Sequence, residues 1–121
     1  MTRAAKGLGR RGEQLAEQHL VRLGARVLAR NYRSGLGELD LVVEHEGDLV
    51  GVEVKTRHVG QPALPEEAVG PAKLARLERL LAQFAQESGR DDCGWRIDVV
   101  ALEVAPDGTV RRLEHIRDAY Q

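Results

Sequence analysis

Between Gly37 and Arg57 two runs repeat with a period of two: Leu39, Leu41 and Val43, then Val50, Val52 and Val54, alternate with polar or small residues. Alternation of this kind marks half-buried strands, and Glu46-Gly47 between the runs is a turn signal. The stretch is therefore expected to form a β-hairpin. A two-residue loop of Glu46 and Gly47 sets His45 opposite Asp48, and counting back along both strands sets Asp40 opposite Glu53. A three- or four-residue loop with Gly47 in a bulge would shift the pairing and leave the two acids diagonal.

Opposed residues on a ladder have Cβ atoms about 4.5–5.5 Å apart. Two carboxylates so placed can reach one divalent cation, whose oxygen ligands lie at roughly 2.0–2.1 Å if it is magnesium. Lys55, two residues beyond Glu53, shares its face because side chains alternate. Like charges facing each other across a ladder destabilise it, so the pair needs compensation. A bound cation would provide it; so would Lys55 alone, or solvent over an open polar face.

The remaining elements follow from period and punctuation. Residues 7–24 read as a first helix whose apolar stripe contains Leu8, Leu15, His19 and Leu23, with Gly12 at its centre and Glu13 on its rim. Glycine there costs about 1 kcal/mol of helix propensity, which suits a close approach to another backbone. From its rim position Glu13 could look along the packed face toward a site. Ala25 to Tyr32 reads as a strand, and Pro71 to about Ser88 as a second helix with proline in its first turn and Gly89 as its stop. Lys73 falls in that first turn, either aimed at the sheet or lying over the core. Trp95 to Val104 is a strong, central strand containing Asp98, for which a structural salt bridge is expected, and Thr109 to Glu114 is a last strand before a short tail. The order α-β-β-β-α-β-β implies a mixed sheet with helices on its faces, an α/β sandwich.

Charge is unevenly spread. Residues 1–33 carry eight Lys or Arg, Arg3 and Lys6 among them, against Glu13 and Glu17, although the whole chain has net charge −1. A basic surface able to meet phosphates is one reading, a solvated helix face the other. Of the 18 basic residues only Lys6, Lys55 and Lys73 are lysine, so a lysine kept within a strand suggests a need for an ammonium. At 121 residues one domain spanning 1–121 is expected. No apolar run approaches the roughly 18–20 residues of a membrane span, and no apolar leader opens the chain, so a cytoplasmic protein without membrane contact is expected. Cys93 stands alone and is assigned no role, nor are the four histidines assigned a metal.

The pattern of Asp40, twelve residues, then Glu53-Val54-Lys55, set on a hairpin within α-β-β-β-α-β, resembles the PD-(D/E)XK nuclease superfamily of restriction endonucleases and archaeal Holliday junction resolvases. More closely, Gly9-Arg10-Arg11-Gly12-Glu13, Asn31-Tyr32-Arg33, Gly37-Glu38-Leu39-Asp40-Leu41, Val52-Glu53-Val54-Lys55-Thr56-Arg57, Ala68-Val69, Lys73 and Arg96-Ile97-Asp98-Val99-Val100 resemble the YraN-like bacterial proteins of unestablished function, over nearly the whole chain. The resemblance implies a restriction endonuclease-like αβββαβ core: a mixed β-sheet flanked by helices.

It also implies roles. Asp40 and Glu53 match the superfamily's metal-binding acids, Lys55 its catalytic lysine, and Glu13 the glutamate that resolvase-type members place on the first helix. The backbone carbonyl of Val54 matches a further metal ligand. Two departures stand out: Leu39 occupies the place of the proline that names the superfamily, and resolvases are usually basic. Magnesium or manganese is the implied cofactor, and backbone contacts from Arg10, Arg11, Arg33, Arg57 and Lys73 would hold nucleic acid. Tyr32, Phe84, Trp95 and Tyr120 are too few for a base-stacking platform, so double-stranded or branched DNA is the expected substrate, met by a homodimer if the target is symmetric. Two other classes remain open: a non-catalytic nucleic-acid-binding module on the same fold, and a protein-interaction domain with a structural acidic cluster.

Overall fold

The structure is a computed structural model that describes residues 3–119, with side chains from Gly7 onward; the side chains of Arg3 and Lys6, and Tyr120 altogether, lie outside the described residues. Helix α1 spans Arg3–Arg22, strand β1 Arg26–Ser34, β2 Gly37–His45 and β3 Asp48–His58. A short 3-10 turn over Pro65–Ala68 leads into α2, Pro71–Ser88, followed by β4, Gly94–Val104, and β5, Val110–Ile116. The strands lie in the order β1-β2-β3-β4-β5, antiparallel except for the parallel β3–β4 pair that the α2 crossover joins. The sheet is mixed and helices cover both faces, as expected of a restriction endonuclease-like core. The strand at the centre is β3 rather than β4, which takes the fourth place.

The hairpin has the two-residue loop. His45 pairs with Asp48 and Leu41 with Val52, while Glu46 and Gly47 both have positive φ, 53° and 84°. That is the twist a tight hairpin demands, and glycine supplies it without strain. Its strands are more than half-buried, since Leu41, Val43, Val50 and Val52 pack under α1 with Ala16 and Leu20, whereas Val42 packs under α2 with Leu74, Leu77, Leu80 and Leu81. Gly51 shows why both layers fit. Any Cβ there would press on Ile97 and Leu39 at 3.1 Å and on Leu81 at 3.4 Å.

Gly12 makes a close approach, but to a side chain and not to the backbone expected: a Cβ on it would collide with the Thr56 side chain of β3. The second helix runs as read from its punctuation, from Pro71 to a left-handed Gly89 (φ 73°) that donates back to Ala85 and Gln86 carbonyls. The loop before it holds the 3-10 turn, which the sequence pattern did not suggest, pinned to β5 by Arg112 on Glu66.

A buried polar network crosses the α1 side of the sheet. Asp98, fully buried, accepts from Arg96 Nε at 3.0 Å, from the Asp118 N–H at 3.0 Å and from His115 at 2.8 Å. Arg96 also reaches His45 Nδ1 at 2.9 Å; that leaves His45 Nε2 to donate to the Leu23 carbonyl at 3.1 Å. His115 in turn meets His19 of α1 at 3.1 Å. The structural role expected of Asp98 is what the geometry shows, but His115 belongs to β5 and not to a tail.

Candidate functional site

At Asp40 the sheet opens. The paired residues of β2 and β3 run from the turn to Leu41–Val52, and one residue further Asp40 Oδ2 takes the Val54 N–H at 2.8 Å. A side chain has replaced a strand neighbour. On the other side of β2 the pairs Arg30–Leu41 and Tyr32–Leu39 flank Asn31, whose φ is 51°, a left-handed value rare for a residue inside a strand. Leu39 packs on the α2 side and Leu41 on the α1 side, although residues two apart in a regular strand share a face. Strands β1 and β2 are thus both irregular at one level, and the irregularity turns their polar side chains into a cleft.

That cleft, open and about 690 Å³ in volume, is lined by Gly9, Arg10, Glu13, Asn31, Arg33, Gly37, Glu38, Asp40, Glu53, Lys73 and Arg76. A second hollow of about 590 Å³ adjoins it along α1 and shares Arg10, Glu13 and Asn31. A smaller hollow of about 240 Å³ beside Cys93 and Trp95 contains no buried titratable side chain.

The acids in the cleft are poorly compensated. Burial, with the neighbouring Glu53 carboxyl hydrogen-bonded to it, pushes the Asp40 carboxyl up to about 8, and the Val54 N–H only partly opposes this. Glu53 is 5% exposed and its Oε2 accepts no hydrogen bond. Lys73 Nζ stands 3.3 Å from that oxygen, close enough for an ion pair but not aligned as a hydrogen bond. Glu13 is raised chiefly by burial and also by Glu38 and Glu53, while Asn31 Nδ2, donating to it at 2.7 Å, pulls it down. The same amide reaches Glu38 at 3.2 Å, and Arg33 pairs with Glu38 at 2.9 Å.

Of the residues singled out from sequence, Glu13, Asp40, Glu53, Lys73, Arg10 and Arg33 border one cleft. Val54 contributes its N–H, and its side chain packs with the α1-side core. Lys55, half-buried on β3, is not among the lining residues and has no ion pair or hydrogen bond among the described residues; the ammonium beside the acids is Lys73. Arg11 and Arg57 also lie off the cleft wall. Asn31, Glu38 and Arg76 were not picked out by spacing. The signal for Asn31 was its residue type, since asparagine tolerates the left-handed region better than most.

The donor set is all oxygen, which suits a hard divalent cation such as Mg²⁺ or Mn²⁺. An orphaned, buried Glu53 oxygen beside a carboxyl that resists ionisation is what such an ion would relieve. Among the described residues no three His, Cys, Asp or Glu side chains already form a coordination group. The preformed part is the Asp40–Glu53 pair, with Glu13 held nearby by Asn31.

The chain matches the model of the uncharacterised protein family UPF0102 over residues 12–102. It belongs to that family. It is similar to a UPF0102 protein of Pelotomaculum thermopropionicum, 41% identical over 120 residues, which covers 99% of this chain and all of the relative. A UPF0102 protein of Frankia alni is 44% identical over 118 residues, 98% of each chain. Another from Roseiflexus castenholzii is 43% identical over 117 residues, 96% of this chain and 94% of the relative. The matched stretch of the UPF0102 chain contains Glu13, Asn31, Asp40, Glu53, Lys55 and Lys73. Among the described residues no helix is long and apolar enough to cross a membrane.

Proposed function

We propose that this UPF0102 protein is a metal-dependent endonuclease that hydrolyses phosphodiester bonds of double-stranded or branched DNA. What carries the reading is the Asp40–Glu53 pair: two acids in contact, Glu53 buried and Asp40 half-buried where β2 leaves β3, with arginines on the cleft wall. A stable fold gains nothing from setting two acids against each other with only one loosely placed ammonium and one backbone N–H to compensate them, whereas a cation site is served by it.

Asp40, Glu53 and Glu13, with the Val54 carbonyl, would hold Mg²⁺ or Mn²⁺. Bound there, the ion supplies neutralisation of a non-bridging phosphate oxygen and makes a nearby water more acidic. The chain's own groups do the rest. The Val54 N–H fixes the Asp40 rotamer and Asn31 fixes Glu13, so both acids are oriented before substrate arrives. Lys55, off the cleft wall in this structure, would have to swing toward the acids to orient the attacking water and offset charge developing in the transition state. Arg10, Arg33 and Lys73 at the cleft, with Arg11 and Arg57 beyond it, hold the phosphate backbone through contacts that ignore sequence and weaken with salt. A two-fold dimer would present two such clefts to a symmetric junction.

The test is nicking of a labelled four-way junction and of linear duplex in Mn²⁺ by the intact protein, Glu53→Gln and Lys55→Ala. The reading expects cleavage by the intact protein and its loss in both variants with the fold retained by circular dichroism. Undiminished cleavage by either variant would reject the assigned site. Junction binding without nicking would move the protein to the non-catalytic class, and no binding at low salt to the protein-interaction class.

A further inference from the structure

We propose that Lys73 is an exchangeable counter-ion: it occupies Glu53 in the metal-free protein and is displaced when a divalent cation binds. This rests on the endonuclease reading of the same cleft. Glu53 is almost wholly buried, and a buried carboxylate needs a positive partner. Lys55, one of the compensations the sequence left open, has no ion pair or hydrogen bond among the described residues; Lys73 supplies the charge from α2, across the crossover.

Three features make the contact one that can exchange. The pair is loose, because the ammonium lies 3.3 Å from Oε2 without hydrogen-bond alignment. The Lys73 side chain is 34% exposed against 6% for Glu53, so the ammonium can retreat to water along its own flexible stem while the carboxylate cannot move out. The residue is one of three lysines among 18 basic residues, and arginine would have locked Glu53 with a bidentate fork instead of a single point charge. An ammonium and a divalent ion drawn to the same carboxylate repel each other, so each weakens the other's hold. The exchange leaves a freed ammonium at the cleft mouth, where a phosphate oxygen would be met.

Two measurements test it. In EDTA, urea unfolding of the intact protein, Lys73→Met, Glu53→Gln and the double variant should show coupling: loss of Lys73 destabilises when Glu53 is present and has little effect when it is Gln. Calorimetry with Mn²⁺ should then show Lys73→Met binding about tenfold more tightly than the intact protein, while Arg76→Met, which removes another cleft cation that has no ion pair to Glu53, changes affinity less than about twofold. Lys73→Gln gives the same comparison should the Met variant fail to fold. Additive stability losses, or Mn²⁺ affinity unchanged or weakened by loss of Lys73, would overturn the exchange. If the intact protein binds Mn²⁺ and Lys73→Met binds it equally, the exchange alone fails; if the intact protein binds none, the endonuclease reading fails with it.

Discussion

Asp98, wholly buried, and Asp40, half-buried at the cleft, stand on the same sheet, and the protein treats them in opposite ways. Burial pushes Asp98 up, but the hydrogen bonds from His115, the Asp118 N–H and Arg96 outweigh it and hold the carboxyl below its ordinary range. Asp40 has one backbone donor and a second carboxyl as neighbour, and it is pushed up to about 8. The first is a charge the fold has satisfied. The second is a carboxyl whose charged form the fold leaves unsupported, and that contrast separates a structural acid from a candidate functional one better than burial does.

The largest way to break the contrast is to unbalance Asp98. Arg96→Ala leaves that carboxylate enclosed without its guanidinium, and a loss of about 3–5 kcal/mol in urea unfolding is expected. Next comes the seating of α1, which carries Glu13 toward the cleft. Gly12→Ala drives a methyl into Thr56 and should cost about 1–3 kcal/mol, outweighing alanine's better helix propensity and weakening Mn²⁺ binding by displacing Glu13.

Removing Asp40's charge should do the reverse of removing Arg96. A folded carboxyl raised above the unfolded value of 3.8 contributes stability that is full below pH 3.8 and is lost as pH rises toward about 8. Asp40→Asn is therefore expected to stabilise the metal-free protein at pH 9, by about 1–2 kcal/mol, and to bring little gain near pH 4. Asp98 has the opposite sign: its contribution is present above 3.8 and disappears as pH falls below it, so Asp98→Asn should flatten the acid arm of the same stability profile. The smallest expected effect is at Asn31. Asn31→Gly keeps the left-handed backbone and removes the amide from Glu13 and Glu38; stability should change by less than about 1 kcal/mol, while Mn²⁺ affinity falls measurably.

Much of the hairpin and of the cleft acids was legible because local rules govern them. Glu46-Gly47 dictates a two-residue loop and the loop dictates the register as far as Leu41–Val52; one step further the expected Asp40–Glu53 ladder pair is not formed, and Asp40 meets Glu53 through its side chain while accepting the Val54 N–H. Pro71 and Gly89 bound α2 for the same local reasons, and Gly12 signalled its close approach. The contacts that escaped are those between residues far apart in the chain. Lys73 reaches Glu53 only because a crossover helix returns over the sheet, and no spacing rule reports that. His19, His45 and His115 carry no ligand spacing, yet 96 residues separate His19 from the His115 it touches, joining α1 to β5. Asn31 and Glu38 belonged to recognised blocks without a role, since the left-handed turn of Asn31 depends on how β1 meets β2 at Asp40.

The central claim is that the Asp40–Glu53 pair is left incompletely compensated so as to receive a divalent cation. Calorimetric titration of Mn²⁺ into the intact protein and into Asp40→Asn tests it most directly. One saturable site in the former and none in the latter, with both folded, is the predicted result; equal heats from the two proteins, or no binding by either, would contradict the account.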